Sequence, residues 1–180
     1  MTKRREVISI FVDNQANVLS RVVSLFGRRG FNIDSLTVSA TNNPEISRIT
    51  IVFTGTEQAL NQIITQTEKL EVVKEIFTLE KEESVYRELL LVKIRADKTN
   101  RTALREIVDI FRGKIIDLSK GSVVVELTGA PEKVEGFMNM VSCYEIIEMC
   151  RTGITGIKRG LATPECCQEE HELYTGELFD

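Results

Sequence analysis

The sequence predicts an α+β protein of two βαββαβ units in tandem, followed by an acidic tail. Three observations predict it. Apolar residues alternate between a strand-like period of about two and a helix-like period of about 3.6 residues. The same order of periods occurs twice within the 180 residues. Several residues recur at matching places in the two halves.

In the first half, residues 7–12 (Val-Ile-Ser-Ile-Phe-Val) read as a strand. Val18, Leu19, Val22, Val23 and Phe26 form a helical stripe, with Ser20, Arg21, Ser24 and Arg28 opposite it. Gly30 stands where a helix C-cap is expected. Residues 31–40 and 46–54 read as strands joined by the turn-rich Thr41-Asn42-Asn43-Pro44. Leu60, Ile63, Ile64, Thr67 and Leu70 mark a second helix, and residues 72–79 a fourth strand.

The charged stretch Glu80-Lys81-Glu82-Glu83-Ser84 then reads as a linker, after which the order repeats. Residues 86–96 are a strand, and Leu104, Ile107, Val108 and Phe111 a helical stripe. Residues 114–118 and 122–128 are short strands turned by Lys120-Gly121; Val134, Phe137, Met138 and Val141 mark a helix, and residues 146–150 the closing strand. Phe26-Gly27-Arg28-Arg29-Gly30-Phe31-Asn32-Ile33-Asp34 aligns with Phe111-Arg112-Gly113-Lys114-Ile115-Ile116-Asp117 once two residues are dropped, and Thr54-Gly55 matches Thr128-Gly129. Each half suffices for one sheet packed on two helices, the ferredoxin-like arrangement. The expected domains are residues 1–80 and 85–160, with residues 161–180 a disordered acidic tail.

At 42% hydrophobic and 28% charged residues, the composition is that of a globular domain. No apolar run approaches the roughly 20 residues of a membrane helix. The apolar segment after Lys3-Arg4-Arg5-Glu6 is cut short by Asp13 and Asn14, too soon for a signal peptide. Cys143, Cys150, Cys166 and Cys167 show no disulfide framework, so a cytoplasmic protein with reduced thiols is expected. Six of the 27 acidic residues fall in residues 161–180, which hold no Lys or Arg; the preceding residues carry 23 basic against 21 acidic groups. Such a near-neutral body gives no electrostatic case for nucleic acid or an anionic membrane.

Catalytic chemistry is hard to place. The single histidine, His171, lies in the tail, which removes His-based triads and His-rich metal sites from the two units. Cys166-Cys167-Gln168-Glu169-Glu170-His171 lacks the spacer that lets two thiolates share one zinc. The run Gly153-Ile154-Thr155-Gly156-Ile157-Lys158-Arg159-Gly160 has no Gly-Lys-Ser/Thr ending and no helix after it, and reads as a closing loop or partner contact.

The informative stretch is Asp13-Asn14-Gln15-Ala16-Asn17-Val18-Leu19, the first strand–helix junction. Helix-opening N–H groups suit a carboxylate, and amide or backbone carbonyls suit an ammonium. Asn32-Ile33 is expected to emerge beside this junction and complete a site for a zwitterion with a modest apolar side chain. The plainer alternative is that Asn17 caps the helix and Asn14 makes the turn.

Several linked segments resemble one family. Asn14-x-x-Asn17-Val18-Leu19-Ser20-Arg21-Val22, Phe26-x-x-Arg29-Gly30-Phe31-Asn32-Ile33-x-Ser35-Leu36-Thr37-Val38 and Ser47-Arg48-x-Thr50-Ile51 closely resemble the small regulatory subunit of acetolactate synthase. Arg87-Glu88-Leu89-x-Leu91-Val92-Lys93-Ile94, Ile110-Phe111-Arg112-Gly113-Lys114-Ile115-Ile116-Asp117 and Cys150-Arg151-Thr152-Gly153 extend the likeness over residues 5–160. The resemblance implies an N-terminal ACT domain that forms a homodimer and binds valine, or a related branched-chain amino acid, between protomers. It implies a large catalytic subunit holding thiamine diphosphate, Mg²⁺ and FAD, activated by this chain and inhibited when valine binds; this chain would hold no cofactor and catalyse nothing. By position, the effector contacts fall on Asn14, Ala16, Val18, Leu19, Asn32 and Ile33. Asn17 joins them where the family usually has Gly; as a self-capping residue it would compete with the ligand for the helix amides.

Three rivals share the pattern. A stand-alone amino-acid sensor would act on some other partner. An RNA-binding module needs exposed aromatics on its central strands, and Ser47-Arg48-Ile49-Thr50-Ile51-Val52-Phe53 offers one terminal Phe. A small enzyme needs catalytic groups that the two units do not offer.

Overall fold

The computed structural model describes residues 3–161 and Pro164. The chain divides into two compact units, one running to Val85 and including the stretch from Gly156 onward, the other spanning Tyr86–Thr155. The tail expected at 161–180, with His171 and Cys166-Cys167, lies outside the described residues apart from Leu161 and Pro164.

The first unit is β1 (Arg4–Asp13), α1 (Val18–Arg28), β2 (Ile33–Ala40), β3 (Ile46–Gly55), α2 (Glu57–Thr67) and β4 (Val73–Thr78). Its sheet order is β2-β3-β1-β4, all neighbours antiparallel. Alternation along the central strands sends Ile8, Ile10 and Val12 of β1 and Ile49, Ile51 and Phe53 of β3 to one face. Val18, Val22 and Phe26 of α1, one turn apart, and Ile63 of α2 close over them. Thr56 caps α2 by accepting the Ala59 N–H at 3.3 Å. β2 begins two residues later than periodicity suggests. Phe31 donates its N–H to the Phe26 carbonyl at 3.1 Å, and Gly30 takes φ 69° to permit it, so this segment ends the helix first.

The second unit repeats the order: β5 (Ser84–Arg95), α3 (Arg101–Ile110), β6 (Lys114–Leu118), β7 (Ser122–Gly129), α4 (Pro131–Met140) and β8 (Ile146–Arg151). Strands β6-β7-β5-β8 reproduce the first sheet's order. Leu90, Val92 and Ile94, with Val123, Val125 and Leu127, meet Leu104, Val108, Val134 and Phe137 in its core. Both units are therefore ferredoxin-like. The segment read as a closing loop at 153–160 instead contains a short strand, β9 (Thr155–Lys158), which pairs with β5. Its glycines hid it, since a residue without a side chain contributes nothing to a periodic pattern.

Candidate effector site

The first strand–helix turn is tied down at its base and open at its tip. Asp13 accepts an ion pair from Lys74 at 2.8 Å, and this hydrogen-bonded carboxylate raises the Lys74 pKa. The Asn14 backbone N–H donates to the Glu45 carbonyl at 2.6 Å. Its side-chain amide donates to the Pro44 carbonyl at 2.8 Å and its Oδ1 accepts from Ser47 Oγ at 2.9 Å. Asn14 thus braces the junction against the β2–β3 hairpin.

Asn17 corrects the self-capping expectation. It takes φ 68° and ψ −3°, the left-handed region, and its side chain makes no cap hydrogen bond. Side-chain capping requires an extended N-cap residue, which this conformation is not. The Asn17 carbonyl instead accepts from Ser20 Oγ at 2.9 Å and from the Arg21 N–H at 3.2 Å. The N–H groups of Leu19 and Ser20 are left without an acceptor among the described residues. Ala16 and the 38%-exposed Leu19 form an apolar flank, whereas the Val18 side chain is buried in the core, leaving its backbone as the part that faces the turn.

Asn32 and Ile33 do not join this group within one chain. Register places Ile33 against Phe53, and Phe53 against Glu6, near the start of β1. Asp13, which leads into the junction, pairs with Ile46, and Ala40 at the far end of β2 pairs with Ser47. From Glu6 to Asp13 the strand advances about 23 Å at about 3.3 Å per residue. The expectation that Asn32 emerges beside Asn14 is therefore overturned: β2 runs parallel to β1, so its start lies at the opposite end of the sheet. Asn32 is exposed and donates to Asp34 at 3.4 Å, Asp34 accepts from Thr54 Oγ1 at 2.8 Å, and Ile33 packs against the core.

Chemically, two unpartnered amides at a helix N-terminus suit a carboxylate. Among the described residues no cluster of His, Cys, Asp or Glu is arranged to hold a metal, and no helix is long and apolar enough to cross a membrane. The non-helical face of the central strands is no base-stacking platform: Ser9, Phe11, Thr50 and Val52 are all buried. Sequence reasoning missed the Glu88–Arg151 pair of the second unit. Buried Glu88 takes Arg151 Nε at 3.1 Å and Nη2 at 2.9 Å, while Arg151 Nη1 reaches Glu135 at 2.9 Å. The signal was present, because Glu88 shares strand parity with Leu90, Val92 and Ile94 on the core face.

A βαββαβ sheet with its order β2-β3-β1-β4 and an open helix terminus after β1 defines an ACT domain, here followed by a second ferredoxin-like unit. The model of the AHAS small subunit-like ACT domain matches residues 8–75, and that of the small subunit of acetolactate synthase matches residues 87–160. The acetolactate synthase small subunit of Mycolicibacterium smegmatis is 44% identical over 153 residues, covering 85% of this chain and 90% of that protein. The isozyme 3 small subunit of Escherichia coli is 39% identical over 157 residues, covering 87% and 96%. The crystal structure of the small subunit from Thermotoga maritima matches with TM-score 0.80 and 38% identity over 87% of this chain and 98% of that one. The chain belongs to the acetolactate synthase small-subunit family.

Proposed function

We propose that this chain is the non-catalytic regulatory subunit of an acetolactate synthase in branched-chain amino acid biosynthesis. It raises the activity of a large catalytic subunit, which supplies thiamine diphosphate, Mg²⁺ and FAD, and lowers that activity when valine or a related amino acid binds. The observation that carries the reading is the pair of unpartnered amides at Leu19 and Ser20, beside an apolar flank, in a chain of this family. Those amides suit the ligand carboxylate, Ala16 and Leu19 suit a branched aliphatic side chain, and the ammonium needs carbonyl or amide oxygens.

Those oxygens, and the rest of the pocket, come from a second copy. β2 is an edge strand, and antiparallel pairing of two β2 edges sets the start of one strand against the end of the other. The end of β2 lies at the same end of the sheet as the β1–α1 turn. A homodimer built this way brings Asn32 and Ile33 of one protomer toward Asn14, Ala16, Asn17, Val18 and Leu19 of the other. Regulation follows if effector-bound and effector-free dimers differ in affinity for the active form of the catalytic subunit.

The test uses purified subunits. The chain alone should form no acetolactate from pyruvate, should raise the rate of its cognate large subunit several-fold, and should lose that effect on adding valine. An unchanged rate at saturating small subunit refutes the activating role, and full activation in saturating valine refutes the effector assignment.

A further inference from the structure

Ser47 is a polar residue on an apolar row. It shares strand parity with Ile49, Ile51 and Phe53 of β3, which face the helices, and it is 7% exposed. It stands opposite Val12 of β1 and Ala40, the last residue of β2. A hydroxyl buried at such a position costs stability unless it finds a partner. Its partner is Asn14, whose Oδ1 accepts from Ser47 Oγ at 2.9 Å.

The other bond of the Asn14 carboxamide fixes its orientation. Nδ2 donates to the Pro44 carbonyl at 2.8 Å, and a carbonyl only accepts, so Nδ2 must face Pro44 and Oδ1 must face Ser47. An amide oxygen has two lone pairs, of which Ser47 occupies one. The second is left open among the described residues, on the side of the sheet that carries α1 and the Leu19 and Ser20 amides. Asp13, the charged residue before Asn14, is sent by alternation to the opposite face and is held there by Lys74 at 2.8 Å. Without the Ser47 hydroxyl the carboxamide would keep its bond to Pro44 but could turn about it.

We propose that Ser47 is a positioning residue of the effector site, aiming Asn14 Oδ1 at the ammonium group of a bound 2-amino acid. This role rests on the effector reading above and deepens it. The second copy brings oxygens to the ammonium, and Asn14 adds a fixed one from the chain that supplies the helix amides. Ser47 itself touches no ligand. A carboxamide already held in place gives up no rotational freedom when the ammonium arrives, so its hydrogen bond adds more to affinity than that of a free side chain.

Ser47→Thr and Ser47→Val separate the hydroxyl from packing, because the two new side chains have nearly one shape and both suit a strand. In calorimetric titrations of the full chain with valine, Ser47→Thr should bind within about twofold of the unaltered protein, and Ser47→Val about tenfold more weakly, the effect of one lost hydrogen bond. Nuclear magnetic relaxation of the Asn14 side-chain nitrogen, recorded without ligand, reads the immobilisation directly. The carboxamide should be as rigid in Ser47→Thr as in the unaltered chain and should gain fast internal motion in Ser47→Val. Equal affinity in the two variants, or an equal loss in both, overturns the role of the hydroxyl. A carboxamide no more mobile in Ser47→Val shows that Ser47 does not act through Asn14 and overturns the positioning. No uptake of valine by the unaltered chain overturns the effector reading and this role with it, an outcome distinct from uptake that is indifferent to position 47.

Discussion

Asn17 stands at φ 68°, in the left-handed region where a β-carbon crowds the following carbonyl and costs most residues roughly 1–2 kcal/mol. Glycine is free of that cost and asparagine is among the side chains that bear it best. The position therefore selects residues by backbone conformation, which gives glycine and asparagine a common ground for standing there. Asn17→Ala should accordingly lower stability by about 1 kcal/mol, while Asn17→Gly should match or slightly exceed the unaltered chain. Urea unfolding midpoints check this, and an alanine variant as stable as the glycine one refutes it. The residue types at this turn were legible as an N-terminal signal, but the dihedral was not: Asn before a helical stripe reads equally as an extended cap or as a left-handed turn. Asn14 was likewise readable as a turn residue, yet its bonds to Pro44 and Ser47 join residues 30 and 33 positions away, beyond the reach of any local pattern.

Secondary-structure elements were the most legible layer, because each buries one face and periodicity records which. α1, α3 and the strands β1, β3, β5 and β7 follow directly from their apolar stripes. Where the pattern failed, glycine or charge intervened. β9 carries too few apolar residues to show a period, and Glu88 sits on a core-facing position that pattern reading reserves for apolar side chains. Thr152 extends the join between β5 and β8: its N–H donates to the Leu89 carbonyl, and its Oγ1 accepts the Leu89 N–H, both at 3.1 Å. Arg151 beside it clamps Glu88 of β5 and Glu135 of α4. Removing one member of a buried pair strands the other's charge and costs about 3–5 kcal/mol, whereas an exposed pair contributes at most about 1 kcal/mol. Glu88 is 3% exposed and Glu135 54%, so Arg151→Ala, which strands the buried Glu88, should destabilise by about 3 kcal/mol and Glu135→Ala by less than about 1 kcal/mol. Denaturant titration of the full chain separates them, and equal losses would show that Glu88 does not depend on Arg151.

In the whole molecule, the residues proposed to bind the effector divide into two groups that one chain cannot bring together. Asn14, Ala16, Asn17, Val18 and Leu19 stand at one end of the first sheet, and Asn32 and Ile33 at the other, by the register of β1, β2 and β3. Sequence pattern gave the strands and their order but carried no measure of which strand ends coincide, and so placed the groups side by side. In the proposed homodimer a site made of both groups crosses between protomers, and each dimer holds two copies of it. Ala16→Glu, which sets a carboxylate beside the free amides, should abolish valine binding, and Asn32→Ala should weaken it severely. Chains carrying one change each can be given different tags, mixed, and purified as mixed pairs. In such a pair one site combines both damaged halves, while the other combines the intact turn of one chain with the intact Asn32 of its partner. Calorimetric titration should therefore recover valine binding at one site per mixed pair, with the affinity of the unaltered protein. A site contained within a single chain would be damaged in both members of every pair, and mixing would restore nothing.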